Sequence, residues 1–261
     1  MAKKIILDFG HGGTDSGAVG NGLKEKDITL EVGLAVKSRL KAHGFEVVCL
    51  REKDEFVGDA SQRGAKIKAL GGDYGLSIHV NSGGGTGAEI ITPCKETYGN
   101  IEHHMAEALK TVGAFRKIYS RDYSTGNTYT RTINPSTLKF EQTYNKTDYY
   151  GVIRGAYPTV STDIVELFFI DNAKDVANYK AKKDDYIEAI VKGICLGFKV
   201  AYQAPAKAVQ SETTKPTTPE AGEVFYQVIC GSYKNKETAE ALADKLTKAG
   251  YSGIWINRIV K

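Results

Sequence analysis

The feature that most constrains this chain is the alternation of short apolar runs with amphipathic segments over the first 200 of its 261 residues. Short apolar runs favour buried strands, whereas apolar residues spaced three or four apart favour helices. Such alternation predicts an α/β fold with a mostly parallel, twisted sheet and helices on both faces. Strands are predicted at 3–9, 45–50, 74–80, 88–92 and 162–169, and helices at 27–44, 61–70, 101–112 and 186–202.

Three further segments divide the chain. Residues 113–158 are rich in Tyr, Thr, Asn, Arg and Gly and interrupt the alternation as an insertion, for which a functional lid and a plain surface hairpin are equally good interpretations. Residues 203–222 contain almost no large apolar residues and indicate an extended linker. Residues 223–261 have their own strand–helix–strand pattern. We therefore predict one large domain over 1–202 and a small C-terminal module over 223–261.

Composition and charge limit the classes of partner. Hydrophobic residues make up 41% of the chain and charged residues 25%, and the net charge of +4 comes without the basic block that marks a nucleic-acid arm. No stretch approaches the roughly 20 apolar residues of a transmembrane helix. The opening MAKKIILDFG lacks the pattern of a secretory signal. We expect synthesis in the cytoplasm and neither nucleic acid nor membrane as a partner.

The residues that could carry chemistry begin in the first loop. His11 follows the first predicted strand within GHGG, which matches neither the dinucleotide pattern nor the P-loop pattern of glycines. His79 lies near the end of the strand LSIHVN, also at a carboxyl edge, where open α/β sheets bind ligands. Glu25 begins the next helix. Two histidines and one carboxylate suit zinc with a fourth position open for water, although a lone histidine usually has no special role.

Glu166 is the candidate for proton transfer. It lies in TDIVELFF, a strand that otherwise reads as buried, and a charged residue is costly there without a partner or a function. As a general base it would take a proton from the metal-activated water and return it to the leaving nitrogen. A paired carboxylate of the core is the alternative interpretation.

Together these motifs resemble the zinc-dependent N-acetylmuramoyl-L-alanine amidases of the amidase-3 type. The resemblance covers residues 3–202 apart from the insertion and rests on ILDFGHGGTDSGA, KEKDITLEVGLAVKSRLKAHGFEVVCLREKD, SIHVN and IVELFFIDNAKD. It implies that His11, Glu25 and His79 hold Zn²⁺ and that Glu166 is the catalytic carboxylate. It further implies hydrolysis, in peptidoglycan, of the amide between N-acetylmuramic acid and the L-alanine of the stem peptide.

The tail FYQVICGSYKNKETAEALADKLTKAG resembles the first half of a SPOR domain, a module associated with the glycan strands of peptidoglycan. Because only one half is present, we hypothesise that two chains pair through it as a homodimer. The alternative is a small tethered module that packs on the catalytic domain. Because the opening lacks the pattern of a secretory signal, we expect the protein to reach the wall by lysis or through a pore, as phage endolysins and mother-cell autolysins do. A zinc peptidase acting within the stem peptide and a non-catalytic wall-binding protein are the alternative functions.

Overall fold

The computed structural model describes residues 2–113, 115–205 and 236–248. The chain divides into two compact units, Met1–Ala204 and Pro205–Lys261. In the second unit a helix spans Lys236–Lys248, within the stretch whose sequence predicts one. The strands predicted on either side of that helix, and the predicted linker beyond residue 205, lie outside the described residues.

The described strands are β1 (Lys4–Phe9), β2 (Val19–Gly20), β3 (Leu23–Lys24), β4 (Glu46–Cys49), β5 (Tyr74–Asn81), β6 (Ala88–Ile91), β7 (Phe115–Arg121), β8 (Thr128–Thr130), β9 (Ile133–Asn134), β10 (Lys139–Phe140) and β11 (Thr162–Phe169). Seven of them form one sheet, in the order β4-β1-β5-β11-β6-β7-β8. Neighbours are parallel from β4 to β11 and between β6 and β7, whereas β11–β6 and β7–β8 are antiparallel. The pairs β2–β3 and β9–β10 form two small antiparallel sheets.

Helices cover both faces of the large sheet. They are α1 (Glu25–Ala42), α2 (Ala60–Leu70), α3 (Asn100–Val112), α4 (Gly151–Ala156) and α5 (Ala173–Gly197), with the C-terminal helix as α6 (Lys236–Lys248). Buried apolar residues of α1, α3 and α5 form one core with one face of the sheet, and those of α2 and α4 form a second core on the other face. The predicted fold class is therefore confirmed.

The first strand explains why the apolar run is continuous. Successive side chains of a strand point to opposite faces, so a strand covered on both sides needs apolar residues throughout. Ile5, Leu7 and Phe9 enter the core beneath α1, α3 and α5, whereas Ile6 enters the core beneath α2 and α4. The polar exception is Asp8, whose carboxylate is fully buried and paired with Arg63 at 2.6 Å.

Two segments differ from the sequence-based expectation. The helix predicted at 186–202 instead begins at Ala173, where the Asn172 side chain accepts hydrogen bonds from the Lys174 and Asp175 backbones, and it ends at Gly197. Its first half is strongly polar, which conceals the helical spacing, and its backbone is kinked at Lys182. Residues 113–158 supply two strands of the large sheet as well as α4.

None of the described helices is long and apolar enough to cross a membrane.

Candidate metal centre and catalytic carboxylate

The structure brings three of the predicted site residues together at the carboxyl edge of the parallel strands. His11 follows β1, His79 lies near the end of β5, and Glu25 is the first residue of α1. One donor atom from each of these side chains lies within 4.8 Å of the other two. No other group of three or more His, Cys, Asp or Glu residues in the described ranges meets the same distance condition.

Glu25 bridges the two imidazoles. Its Oε2 lies 3.1 Å from Nε2 of His11, and its Oε1 lies 2.9 Å from Nδ1 of His79. The same carboxylate accepts backbone hydrogen bonds from Ala18 at 2.8 Å and Val80 at 2.9 Å. Because four groups hold this buried carboxylate, its position is fixed before any ligand arrives.

Two glycines leave room for the imidazole rings. A Cβ at Gly10 would lie 2.4 Å from Cε1 of His79, so the ring can lie over this backbone only because no side chain is there. A Cβ at Gly17 would lie 2.6 Å from both Glu25 and His11. Gly10 and Gly17 therefore permit close packing around the three donors.

The loop itself holds His11 in an uncommon conformation. The backbone φ of His11 is 62°, in the left-handed region that costs a residue with a side chain free energy. Three contacts offset this cost: Asp15 lies 2.8 Å from Nδ1 of the ring, Arg63 donates to the His11 carbonyl at 2.6 Å, and Arg51 donates to the Gly10 carbonyl at 3.0 Å. Since Asp15 occupies Nδ1, the ring presents Nε2 to the site.

The electrostatics of the three donors favour positive charge between them. Burial alone would lower the pKa of both imidazoles, but hydrogen bonding and the charge of Glu25 outweigh it. The pKa of His11 is therefore raised, and that of His79 is raised to about 9. Burial would raise the pKa of Glu25, yet the two histidines hold it well below its ordinary value. A bound cation would replace the protons that the Glu25 carboxylate stabilises on the imidazole rings of His11 and His79.

Glu166 lies directly beside this centre. It pairs with His79 across β11 and β5, so both side chains lie on the same face of the sheet. The residue is half-buried, and its Oε2 is buried without a hydrogen-bond partner in the described structure. Burial raises the pKa of Glu166 to about 7; His79 opposes the rise, and the Glu25 and Glu89 carboxylates add to it.

Sequence reasoning missed the residues that support the site. Asp15, Arg51 and Arg63 each contact the GHGG loop or its histidine, and Glu89 is the antiparallel neighbour of Glu166. Asp15 follows His11 by four residues, which is a local signal that could have been used. The others are distant in sequence, so only the folded chain brings them to the loop.

The comparisons with known proteins agree on one family. The family described as N-acetylmuramoyl-L-alanine amidase matches residues 5–198. A sporulation-specific N-acetylmuramoyl-L-alanine amidase of Bacillus subtilis is 32% identical over 257 residues, which cover 96% of this chain and 83% of that protein. The endolysin of Bacillus phage SPP1 is 29% identical over 231 residues, which cover 88% of this chain and 77% of that protein.

A solved structure leads to the same conclusion. The catalytic domain of CwlV, an N-acetylmuramoyl-L-alanine amidase of Bacillus (Paenibacillus) polymyxa var. colistinus, matches with a TM-score of 0.57 and 26% identity over 76% of this chain and 99% of that one. Sequence, fold and site point the same way: the chain belongs to the N-acetylmuramoyl-L-alanine amidases, which cleave the amide between N-acetylmuramic acid and L-alanine in peptidoglycan.

Proposed function

We propose that this amidase works with a zinc ion held by His11, Glu25 and His79. Two imidazole nitrogens and a carboxylate oxygen are a donor set that catalytic zinc uses, and the glycine-lined space around them fits the close approach of three side chains to one ion. When bound, zinc would supply a Lewis acid that activates water and polarises the scissile carbonyl. Asp15 would keep the His11 ring oriented for this role.

Glu166 carries the proposal for catalysis. Its unpartnered Oε2, beside His79 on the same face, is the single observation on which we rely most. There the carboxylate accepts a proton from the attacking water as the new C–O bond forms at the lactyl carbonyl. It then donates that proton to the L-alanine nitrogen as the C–N bond breaks. A pKa of about 7 suits a group that must both accept and donate a proton.

Digestion of purified peptidoglycan tests the proposal. We expect activity to disappear with a chelator and to return with zinc, and mass spectrometry to find free glycan strands and peptides that begin with L-alanine. Products cut inside the stem peptide would instead indicate a zinc peptidase. Binding without any cleavage would indicate a wall-binding protein, and activity that resists complete metal removal would contradict the zinc site.

For the C-terminal module we propose binding to glycan strands and pairing of two chains. Support comes from the SPOR-like sequence, and α6 lies within that stretch. Light scattering by the full chain would contradict the pairing if it found only monomers at high concentration. We also propose action on the wall after release by lysis or through a pore, which the similarity to a phage endolysin supports.

A further inference from the structure

A row of polar side chains continues from the metal centre across the sheet. Pairing aligns His79 on β5, Glu166 on β11, Glu89 on β6 and Lys117 on β7. Residues paired across neighbouring strands lie on the same face of a sheet, so the four side chains share the face of the candidate centre. Strands are about 4.8 Å apart, which places the backbone of Lys117 roughly 10 Å from that of Glu166.

Lys117 makes no hydrogen bond of its own to Glu89, the carboxylate that it faces in this row. The Glu89 carboxylate is buried, and both of its oxygens are already bonded: Oε1 accepts from Arg116 at 2.9 Å and Oε2 accepts from Asn81 at 3.0 Å. The ammonium of Lys117 lies 3.7 Å from Oε1, beyond hydrogen-bond distance. Two cations therefore share the Glu89 carboxylate, and Lys117 makes the longer of the two contacts.

The lysine is held in place and reachable. Its Nζ lies over the ring of Tyr119, 4.4 Å from the centroid, and the Tyr119 hydroxyl is in turn bonded to that of Tyr150 at 2.8 Å. The side chain of Lys117 is 30% exposed. The aromatic contact positions this cation, and water still reaches it. Such a cation can bind an anionic group of a ligand on the same face.

We propose that Lys117 is a specificity-determining residue that binds a free carboxylate on the stem-peptide residue after L-alanine. The proposal rests on the amidase function. In an extended peptide, five bonds separate the alanine nitrogen from the α-carboxyl carbon of the next residue, a distance of roughly 6 Å. In this proposal the stem peptide extends from Glu166 towards β7, so that its carboxylate meets the Lys117 side chain.

Two synthetic glycan oligomers test this subsite. One carries L-Ala-D-Glu stems and the other carries L-Ala-D-isoglutamine stems, so they differ only in a carboxylate or carboxamide. We expect the full chain, loaded with zinc, to favour the acid about tenfold in kcat/KM, because one charge-assisted hydrogen bond is lost with the amide. Lys117→Met should remove this preference, mainly by raising KM for the acid, and Lys117→Arg should restore it.

Lys139→Met is the matched control. Like Lys117, Lys139 lies over a tyrosine ring, 5.2 Å from the centroid of Tyr98, but it belongs to the small β9–β10 sheet. It should keep the preference for the acid. Equal rates on both oligomers with the unaltered chain, or an equal loss on both with Lys117→Met, would overturn the subsite alone. Failure of the unaltered chain to cleave either oligomer would overturn the amidase function with it.

Discussion

Asp163 and Glu166 lie three residues apart on β11, and burial raises the pKa of each to about 7. An odd spacing places their side chains on opposite faces of the sheet. Asp163 is fully buried in the core, where Tyr74 donates a hydrogen bond to it at 2.8 Å and the carboxyl of Glu102 lies beside it. Glu166 is half-buried next to the two histidines.

The comparison shows that burial alone is enough to raise the pKa of a carboxyl group. What such a group can do depends on where it lies in the fold. Burial raises the pKa of Glu102 as well, and both carboxyls are enclosed by protein groups in the core. Glu166 instead lies beside His79 of the candidate metal centre, with its side chain only partly buried.

Exchange of each carboxylate for its amide should separate the two roles most strongly. Glu166→Gln should lower kcat on peptidoglycan by about 10²- to 10⁴-fold, because the amide cannot accept and return a proton. Its zinc content and melting temperature should stay near those of the unaltered chain. Asp163→Asn is the matched control and should keep kcat within a few fold. Normal cleavage by Glu166→Gln would remove Glu166 from the mechanism.

A methyl group added at a glycine should affect metal affinity at one end of the parallel strands and stability at the other. Gly10 follows the carboxyl end of β1, and Gly75 lies near the amino end of β5. In Gly10→Ala the new Cβ meets the His79 ring at 2.4 Å, so we expect metal affinity to fall by about 10- to 100-fold. In Gly75→Ala the new Cβ meets Oγ1 of Thr162 at 2.4 Å, which should cost about 1–3 kcal/mol of unfolding free energy and leave metal affinity unchanged. Competition with a zinc chelator and urea unfolding measure the two quantities; equal metal affinity in both variants would contradict the role of Gly10.

The pH dependence of stability should report the buried pair. The pKa of Asp163 is raised above its unfolded value, so its contribution to stability is complete below about pH 4 and is lost as the pH rises through about 7. Asp163→Asn removes this titration. Its unfolding free energy should match that of the unaltered chain near pH 4 and exceed it by on the order of 4 kcal/mol near pH 8. Urea unfolding at several pH values between 4 and 8 measures this difference. If the difference in unfolding free energy between the two chains stays constant over this range, Asp163 does not titrate in it.

Much of the fold follows from local sequence patterns. The strand at Thr162–Phe169 has the predicted bounds, and the strand at Lys4–Phe9 begins one residue later than predicted. The patterns miss β7 because FRKIYSR carries charged and polar residues at positions that lie near the edge of the sheet. They also miss the first half of α5, where most residues are polar.

Local patterns are enough to predict the fold class and the side chains that could serve a metal, because strand ends, glycines and a charged residue in an apolar run are local features. The folded chain, in contrast, is needed to place β11 between β5 and β6, which sets Glu166 beside His79 and places Glu89 and Lys117 in the same row. It also decided that the metal centre lies on the face of β11 that carries Glu166, whereas Asp163 is buried in the core on the other face. Strand order and register depend on contacts between distant segments, and no local pattern encodes them.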